Sequence, residues 1–504
     1  MVARVLTVTP LGFEGAIVEV ECDAKKGLPA IQIVGMGTKS VDEAKERVRS
    51  AITNSLLEFP LKKITINLAP ADITKEGTHF DLPIALSILV VSGQLKQAEV
   101  NDAVFAGELA LDGTVRSIRG AINIAQSAKE AGITRLFVPA DNVQQAALVE
   151  DIDIVGVKSL KELYLHLKGE MKLASHTYEP AVTVPHSKKT SVLDDIYGQE
   201  QAKRALTIAV AGRHNILLNG PPGAGKTMLA RTLLSLMPAL TPDEQIAVTK
   251  LHSIAGEVDG EIVADRPFRT PHHTTSPVAL IGGGSKARPG EISLAHLGIL
   301  FMDEMPEYPR SVLETLRQPM EDKKISITRA AARTVYPADF MLVATMNPCP
   351  CGYFGDSTKE CTCSMAQVLS YQKRLSGPLL DRIDMVINVS RVPNDTLLTQ
   401  KEHQNIQHIH ALELIKNAQS TQRNRYGSSN IYNASLSSTE SQKHISLAPE
   451  AKSLLSAANK KLNLSARSYF KTLKLAQTIA DLDLSPTVDK NHVSEALQYR
   501  GQTS

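Results

Sequence analysis

The 504-residue sequence contains no tryptophan, and aromatic residues make up only 4% of it. Proteins that bind unpaired bases often stack them on aromatic side chains, so the composition argues against a stacking platform of that kind. The formal net charge is only +2, which by itself does not indicate a nucleic-acid-binding protein. Hydrophobic residues make up 43% of the chain, and its length suffices for about three domains.

Long hydrophobic runs are also missing. The most apolar segment, residues 82–91, contains Pro83 and is far shorter than the roughly twenty residues that cross a bilayer. We interpret this segment as a core helix. No N-terminal stretch combines a charged start, an apolar core and a cleavage site, so we expect no secretion and no membrane partner. The sequence therefore predicts a soluble, cytoplasmic protein.

A glycine-rich segment matches the phosphate-binding loop pattern G-x-x-x-x-G-K-[ST] in full. Residues 215–219 before it predict a short buried strand and residues 228–237 after it predict a helix, so a chance glycine-rich turn is disfavoured. In such a loop the lysine holds the β and γ phosphates and the hydroxyl binds Mg²⁺. We therefore expect ATP and Mg²⁺ as cofactors. The loop residues are Gly220, Pro221, Pro222, Gly223, Ala224, Gly225, Lys226 and Thr227.

Two further apolar segments end in polar residues, as central parallel strands of an ATPase do. Residues 298–302 lead to Asp303 and Glu304, and residues 340–346 lead to Asn347. Asp303 can hold Mg²⁺ through water, and Glu304 can polarise the attacking water as a general base. Paired acids after a strand are also common in turns and helix caps, but this pair follows a phosphate-binding loop on a strand of its own. We therefore expect hydrolysis as well as binding.

The chain resembles the AAA+ ATPases of the magnesium-chelatase type in these motifs, in the GPLLDRID segment around Arg382 and in the SAR segment that ends at Arg467. Within that group it is most similar to the ComM/YifB family, over nearly its whole length. The resemblance implies a hexameric ring in which Arg382 is the arginine finger for the neighbouring subunit's nucleotide, with Arg374 in reserve. It also implies that Arg467 is the second sensor and that Asn347 lies beside the γ phosphate.

The resemblance and the pattern of elements divide the chain into four parts, so the predicted fold class is multi-domain α/β. Residues 1–168 are expected to form an α+β domain like that of Lon proteases, and residues 169–193 a linker. Residues 194–392 are expected to form the AAA+ P-loop domain with a parallel sheet. Residues 393–504 are expected to form a helical lid.

The likeness to the Lon proteolytic domain lies in residues 74–81 and 117–122. Lon uses a serine nucleophile in the first segment and a lysine base in the second. The corresponding positions here are His79, which lacks the hydroxyl, and Ile122, which cannot accept a proton. Thr78 is adjacent but has no matching base in this alignment. We therefore predict an inactive domain that serves assembly or holds DNA.

Four of the five cysteines form the pattern C-x-C-x₉-C-x-C, whereas Cys22 stands alone. Four thiolates at this spacing can close a tetrahedral Zn²⁺ site, which would be structural because no position is left open for catalysis. C-x-C is a less usual chelating pair than C-x-x-C, so free thiols or a redox disulfide remain alternatives. The four residues are Cys349, Cys351, Cys361 and Cys363.

Basic residues are locally grouped although the net charge is small. Residues 324–336 alternate like a β-hairpin with a small basic tip, and similar ring ATPases place a hairpin here that points into the central pore. Its copies around a ring would surround DNA with positive charge and contact phosphates without reading sequence. The candidate DNA contacts are Lys324, Arg329 and Arg333.

Other basic groups lie in residues 266–273 and 281–289, which we expect to be mobile loops beside the pore. Solvated surface charge is the alternative interpretation of each group. The groups are Arg266 and Arg269 near His272 and His273, and Lys286 with Arg288.

The resemblance implies an ATP-driven ring motor on DNA, single-stranded, duplex or branched, that promotes branch migration during natural transformation. A metal-chelatase motor subunit that remodels a partner is one alternative, although a Lon-like domain is not expected in a plain chelatase subunit. A protein-remodelling chaperone or adaptor, in which the N-terminal domain recruits polypeptide, is the other.

Overall fold

The computed structural model describes residues 2–177, 191–258, 260–284, 288–328, 333–356, 359–392 and 405–500. Within these ranges the chain has the predicted α/β architecture: an N-terminal domain with a large mixed sheet, an ATPase domain with a parallel sheet, and a C-terminal group of helices. None of the helices in these ranges is long and apolar enough to span a membrane.

The N-terminal domain is built on strands β1 (Ala3–Leu11), β2 (Glu14–Lys25), β3 (Ala30–Val34), β4 (Lys63–Ala69), β5 (Ala103–Phe105), β6 (Glu108–Leu109), β7 (Val115–Arg116), β8 (Arg135–Pro139), β9 (Asp153–Val157) and β10 (Ser175–His176). Eight of them form one mixed sheet in the order β10-β9-β8-β5-β1-β2-β4-β3, and β6 pairs with β7 in a separate ribbon. Side chains alternate along β1, so Val5 and Val8 enter cores on opposite faces of the sheet.

Helices cover both faces of this sheet. The helix Asp81–Val91 is apolar on every side and buried almost throughout, which confirms the predicted core helix. It packs beside Ala44–Asn54 in one core, whereas Ala121–Glu130 packs in the other. The remaining α-helices of the described domain are Lys39–Asp42, Gln97–Val100, Val143–Ala146 and Leu160–Leu167.

The N-terminal sheet continues beyond residue 168. Ser175 and His176 of β10 pair antiparallel with Val155 and Ile154 of β9, inside the segment 169–193 that the sequence pattern predicts as a linker. This pairing is made by main-chain groups, which need no apolar periodicity, so the side-chain pattern gave no sign of it. Residues 178–190 of the same segment lie outside the described residues.

The ATPase domain contains strands β11 (Ile216–Asn219), β12 (Phe268–Arg269), β13 (Gly282–Gly283), β14 (Arg288–Pro289), β15 (Ile299–Met302), β16 (Lys324–Thr328), β17 (Arg333–Pro337), β18 (Met341–Met346) and β19 (Met385–Asn388). Five of them form a sheet in the order β12-β15-β18-β11-β19, and every neighbouring pair is parallel. Because the strands run the same way, the residues that follow β11, β15 and β18 meet at one edge, the carboxyl edge. The residues that precede β11, β18 and β19 meet at the opposite, amino edge.

Two insertions project from this sheet. The predicted hairpin is present, with Lys324 opposite Pro337 and Thr328 opposite Arg333, and residues 329–332 of its tip lie outside the described residues. Strands β13 and β14 form a ribbon in which Gly283 pairs with Arg288. The segment 281–289, expected to be a loop, therefore has regular structure on both sides of residues 285–287, which are not among the described residues. Main-chain pairing again explains the difference.

The C-terminal helices pack directly on the ATPase domain. Ile406–Tyr426 and Ala466–Leu482 both contact Glu200–Gly212, and all three contribute to one core with β11 and β19. The helix Pro449–Leu462 begins with its proline in the first turn, where the missing N–H is no loss. Within residues 405–500, the remaining C-terminal α-helices are Ser438–His444 and Lys490–Gln498. Elsewhere in the described ATPase domain the α-helices are Lys226–Leu236, Pro242–Ala255, Pro277–Ile281, Glu291–Leu294, Arg310–Thr315, Arg317–Asp322, Met365–Gln372 and Gly377–Leu380.

The helix Pro242–Ala255 joins the ATPase domain to the N-terminal domain. Ser253 accepts a hydrogen bond from the Gly120 N–H at 2.9 Å, and the Lys250 ammonium lies 4.1 Å from the centre of the Phe13 ring. Ile246 of this helix packs against the N-terminal core around Ile122, while Phe13 packs against the ATPase core. Each domain therefore completes part of the other's core.

Candidate functional site

The phosphate-binding loop lies between β11 and the helix Lys226–Leu236, as the motif predicts. Gly223 and Gly225 have φ of +77° and +84°, a region that favours glycine, and this conformation turns the loop around the start of the helix. The Lys226 ammonium donates to the carbonyls of Gly220 at 2.5 Å and Pro221 at 3.0 Å. Burial lowers the pKa of Lys226, while the carboxylates of Asp303 and Glu304 oppose that shift.

The acidic pair follows β15 at the same edge and is exposed. A residue that sequence reasoning missed, Thr345, fixes its position: the Thr345 hydroxyl donates to Asp303 at 2.6 Å and accepts from the Glu304 N–H at 2.8 Å. Thr345 is fully buried in β18 beside apolar neighbours. A lone hydroxyl in an otherwise apolar strand was the signal available in the sequence.

Asn347 follows β18, and its side-chain oxygen accepts from the Lys226 ammonium at 3.0 Å. The structure thus brings Lys226, the acidic pair and Asn347 together at the carboxyl edge, with Thr227 exposed on the first turn of the adjoining helix. A cation, a hydroxyl and two exposed carboxylates fit a nucleoside triphosphate with Mg²⁺, because the lysine neutralises phosphate and the oxygen ligands suit the metal.

Arg382 and Arg467 lie elsewhere, at the amino edge. Both pair with Glu321: Arg382 reaches one carboxylate oxygen at 2.7 Å and Arg467 contacts the other. Asn215, which directly precedes β11, donates to the Arg382 carbonyl, so this cluster is fixed at the end of β11 opposite the phosphate-binding loop. Both arginines therefore lie at the edge of the sheet opposite the phosphate-binding loop of their own chain.

A cleft of about 570 Å³ surrounds the two arginines. Its lining also carries acids, including Asp339, which pairs with Lys323 at 3.3 Å. The reserve finger, Arg374, lies away from this cleft and pairs with Glu307 at 2.9 Å. The cations that line the cleft are Arg213, Lys323, Arg382, Arg467, Lys471 and Lys474.

The four clustered cysteines converge in the loop after Asn347, and their sulfur atoms all lie within 4.8 Å of one another. Three of the distances are 3.3 Å for Cys349–Cys351, 3.7 Å for Cys349–Cys361 and 3.6 Å for Cys351–Cys361. The cluster can therefore hold a metal ion. Cys22 is far from this cluster in the sequence. It lies in the N-terminal core, where burial raises the pKa of its thiol to about 12.

The predicted basic group around residues 266–273 is not a free cationic surface. Arg266 is buried and pairs with Glu244 at 2.8 Å, and Arg269 is held by the carboxylates of Glu257 and Glu291. Charge clusters look alike in sequence whether their partners are solvent or distant acids, so the pattern could not separate the two cases.

Of the candidate DNA contacts, Lys324 is exposed at the start of β16, and Arg333 begins β17. Arg329 and Lys286 lie outside the described residues. The described part of the hairpin thus agrees with the predicted β structure, while the contacts with DNA stay a prediction.

In the N-terminal domain, His79 and Ile122 are buried. Burial lowers the pKa of His79 to about 4, so the imidazole is neutral at pH 7. The Thr78 hydroxyl donates to the Glu108 carboxylate, a partner that the sequence comparison missed. Glu108 also faces Arg116 at 4.0 Å. The inactive Lon-like domain stays a prediction.

Three family models match successive parts of the chain. The model described as subunit ChlI of Mg-chelatase matches residues 20–142, the model described as magnesium chelatase, subunit ChlI, matches residues 192–397, and its C-terminal counterpart matches residues 409–500. The nucleotide-site residues lie inside the second match, which supports an AAA+ ATPase that uses ATP and Mg²⁺.

Full-length relatives narrow the assignment. The chain is 40% identical over 493 residues to Competence protein ComM of Haemophilus influenzae, covering 97% of this chain and 96% of that protein. It is 40% identical over 504 residues to the uncharacterised protein YifB of Escherichia coli, covering 97% and 95%. Similarity to the magnesium-chelatase 67 kDa subunit of Chlorobaculum parvum is 27% over 157 residues, only 31% of this chain. The chain therefore belongs to the ComM/YifB family, with a magnesium-chelatase-like AAA+ fold.

Proposed function

We propose that this protein is an ATP-hydrolysing hexameric ring motor that acts on DNA in the cytoplasm and promotes branch migration during natural transformation. The observation that supports a ring motor is that the candidate hydrolytic residues are divided between the two edges of one sheet. The observation that supports DNA as the substrate is the full-length similarity to a protein named for competence. The similarity to the chelatase subunit covers less than a third of the chain, which makes the chelatase alternative weaker.

The carboxyl edge would bind and hydrolyse the nucleotide. Lys226 would hold the β and γ phosphates, while Thr227 and Asp303 would hold Mg²⁺, which neutralises charge on the phosphates when it is bound. Glu304 would accept a proton from the attacking water, and Asn347 would orient that water. Thr345 would be a positioning residue, because its hydroxyl binds the Asp303 carboxylate and the main-chain N–H of Glu304.

The amino edge would serve the next subunit. Arg382 and Arg467 lie opposite the phosphate-binding loop of their own chain, so in a ring they would face the nucleotide of a neighbour. We expect both the arginine finger, Arg382, and the second sensor, Arg467, to act in trans. Their charge would stabilise the negative charge that develops during phosphoryl transfer, and hydrolysis would require assembly.

The hairpin β16–β17 would contact DNA. Lys324 is exposed on it, and Arg329 and Arg333 would add charge toward the tip. Several copies around a pore would bind phosphates, so affinity should fall as salt concentration rises and should not depend on base sequence.

The test is ATP-dependent movement of a fluorescently labelled three-strand or four-way DNA junction by the purified protein. Product should form with the wild-type chain and be lost with Lys226→Ala and with Glu304→Gln. If the junction does not move and DNA does not stimulate hydrolysis at low salt, the DNA motor is wrong. Stimulation by unfolded protein instead would favour a chaperone, and stimulation by a chelatase partner would favour that alternative.

A further inference from the structure

The cysteine cluster is joined to the nucleotide site through the chain that carries it. Cys349 comes two residues after Asn347, whose side chain contacts Lys226. At the other end of the cluster, Ser364 caps the helix Met365–Gln372, and Gln372 of that helix donates to the Pro348 carbonyl at 3.1 Å. The loop that carries the four cysteines is thus closed on itself directly beside the carboxyl edge of the sheet.

The geometry of the sulfur atoms matches a single tetrahedral metal better than two disulfides. Four sulfurs bound at about 2.3 Å to one Zn²⁺ lie about 3.8 Å from one another, and the distances of 3.3–3.7 Å among Cys349, Cys351 and Cys361 are near that value. Main-chain N–H groups also point at the sulfurs: Phe354 donates to Cys349 and Cys363 donates to Cys361. Such bonds stabilise thiolates that bind a metal.

The same loop packs against the phosphate-binding loop. Gly352 has a φ of +86°, and a Cβ atom there would lie 2.6 Å from the Pro222 side chain, so only glycine allows this close approach. Arg391 donates to the Pro222 carbonyl at 3.3 Å and pairs with Asp356 of the cysteine loop at 3.4 Å. Pro222 is therefore held from two sides by contacts that include the cysteine loop.

We propose that Cys349, Cys351, Cys361 and Cys363 bind one Zn²⁺, and that the metal-bound loop holds the phosphate-binding loop in its nucleotide-binding conformation. The metal is structural, since four protein ligands leave no site for substrate. Its loss frees the loop, removes the support of Pro222 and weakens ATP binding. The first half of the proposal, the Zn²⁺ site, is argued from the thiol geometry alone. The second half, the effect on the phosphate-binding loop, rests on the proposed nucleotide site.

Metal content tests the first half. The full-length protein, purified without chelators, should contain about one zinc per chain by elemental analysis, as expected for a closed four-cysteine site. Cys361→Ser and Cys363→Ser should lose it, whereas Cys22→Ala, which removes the thiol in the N-terminal core, should keep it. Wild-type protein that stays free of zinc after incubation with Zn²⁺, or equal zinc in Cys22→Ala and Cys361→Ser, would overturn the site.

Binding of a fluorescent ATP analogue tests the second half. We expect the Kd to rise about tenfold in Cys361→Ser and also in Gly352→Ala, which keeps the zinc but forces the loop away from Pro222. An unchanged Kd in both variants would overturn the link to the phosphate-binding loop and leave the zinc site standing. Failure of the wild-type chain to bind the analogue would contradict the proposed function instead, because zinc content is measured independently.

Discussion

The two edges of the ATPase sheet carry different sets of charged and polar side chains. The carboxyl edge combines one buried cation, Lys226, with exposed carboxylates and short polar side chains that contact one another. The amino edge carries six cations around an open cleft, and its two candidate catalytic arginines are joined by a single acid, Glu321. The first edge is arranged to receive phosphates and a divalent ion. The second places its six cations beside four acids, which are Glu321, Asp339, Asp381 and Asp384.

This difference supports the proposed division of the catalytic site between two subunits. A parallel sheet separates its two edges by the length of its strands, and the two arginines lie at the edge opposite their own phosphate-binding loop. In the proposed ring, a neighbour that turns its amino edge toward the carboxyl edge would complete the site. Hydrolysis would then be regulated by assembly.

The largest expected effects come from the carboxyl edge itself. Lys226→Ala should remove ATP binding and hydrolysis, because Lys226 is the lysine of the phosphate-binding loop that neutralises the β and γ phosphates. Glu304→Gln should keep binding but lower kcat by at least about a hundredfold, the size expected for loss of a general base. The check is to measure nucleotide affinity and steady-state hydrolysis on the same preparations. Rapid hydrolysis by Glu304→Gln would assign the base elsewhere.

The next largest effect should come from the amino edge. Arg382→Ala should lower kcat by about 10³-fold with little change in nucleotide affinity, as for an arginine finger supplied in trans. Mixing it with Lys226→Ala, which keeps the finger but lacks the site, should restore part of the activity in mixed rings. Arg467→Ala should show the same rescue. Absence of rescue for either variant would mean that the arginine acts within its own chain. Arg374→Ala should keep the wild-type kcat, and a large loss of kcat in that variant would make the reserve residue the finger.

Thr345→Val should have a smaller effect that stays within the carboxyl edge. The substitution keeps the shape of the side chain but removes the hydroxyl that donates to Asp303 and accepts from Glu304. We expect kcat to fall about tenfold because the acids lose these two hydrogen bonds, and the free energy of unfolding to fall by about 1–2 kcal/mol. An unchanged kcat would show that the acids are positioned without Thr345. The measurement is steady-state hydrolysis together with thermal unfolding.

The last expected effect concerns the stability of the amino edge and not catalysis. His296 accepts a hydrogen bond from the Asp339 N–H, and burial lowers its pKa to about 4 from 6.5. Because the unfolded chain binds this proton more readily, stability is retained above pH 6.5 and is lost as the pH falls toward 4. The loss between pH 7.5 and pH 5 is about 2 kcal/mol. His296→Asn, which keeps an acceptor but does not titrate, should flatten the dependence of unfolding on pH; an unchanged slope would show that another group causes it.

The sequence predicts the carboxyl edge well because its residues occur in continuous motifs. The phosphate-binding loop and the acids after β15 each follow an apolar strand, and parallel strands bring such ends together. Thr345 was missed because its role depends on a pairing between two strands 42 residues apart. Local patterns carry no information about which strands become neighbours.

The amino edge was harder to predict for the same reason. The motif around Arg382 names a candidate, but its proximity to Arg467 arises only when the C-terminal helices pack on the sheet through Glu321. The sequence pattern predicts that Arg266 belongs to a basic loop beside the pore, whereas in the structure it forms a buried ion pair with Glu244. Charge is read directly from sequence, whereas the partner of a charge is set by the fold.

The helix Pro242–Ala255 determines where the chain can be cut. Ile246 completes the N-terminal core and Phe13 completes the ATPase core, so a fragment that starts after residue 190 would expose apolar surface together with Lys250 and Ser253. Such a fragment should aggregate even though its carboxyl edge is intact. Loss of activity in the fragment would therefore say nothing about a role of the N-terminal domain in the motor. Point substitutions at the Phe13 contact are the informative way to uncouple the two domains.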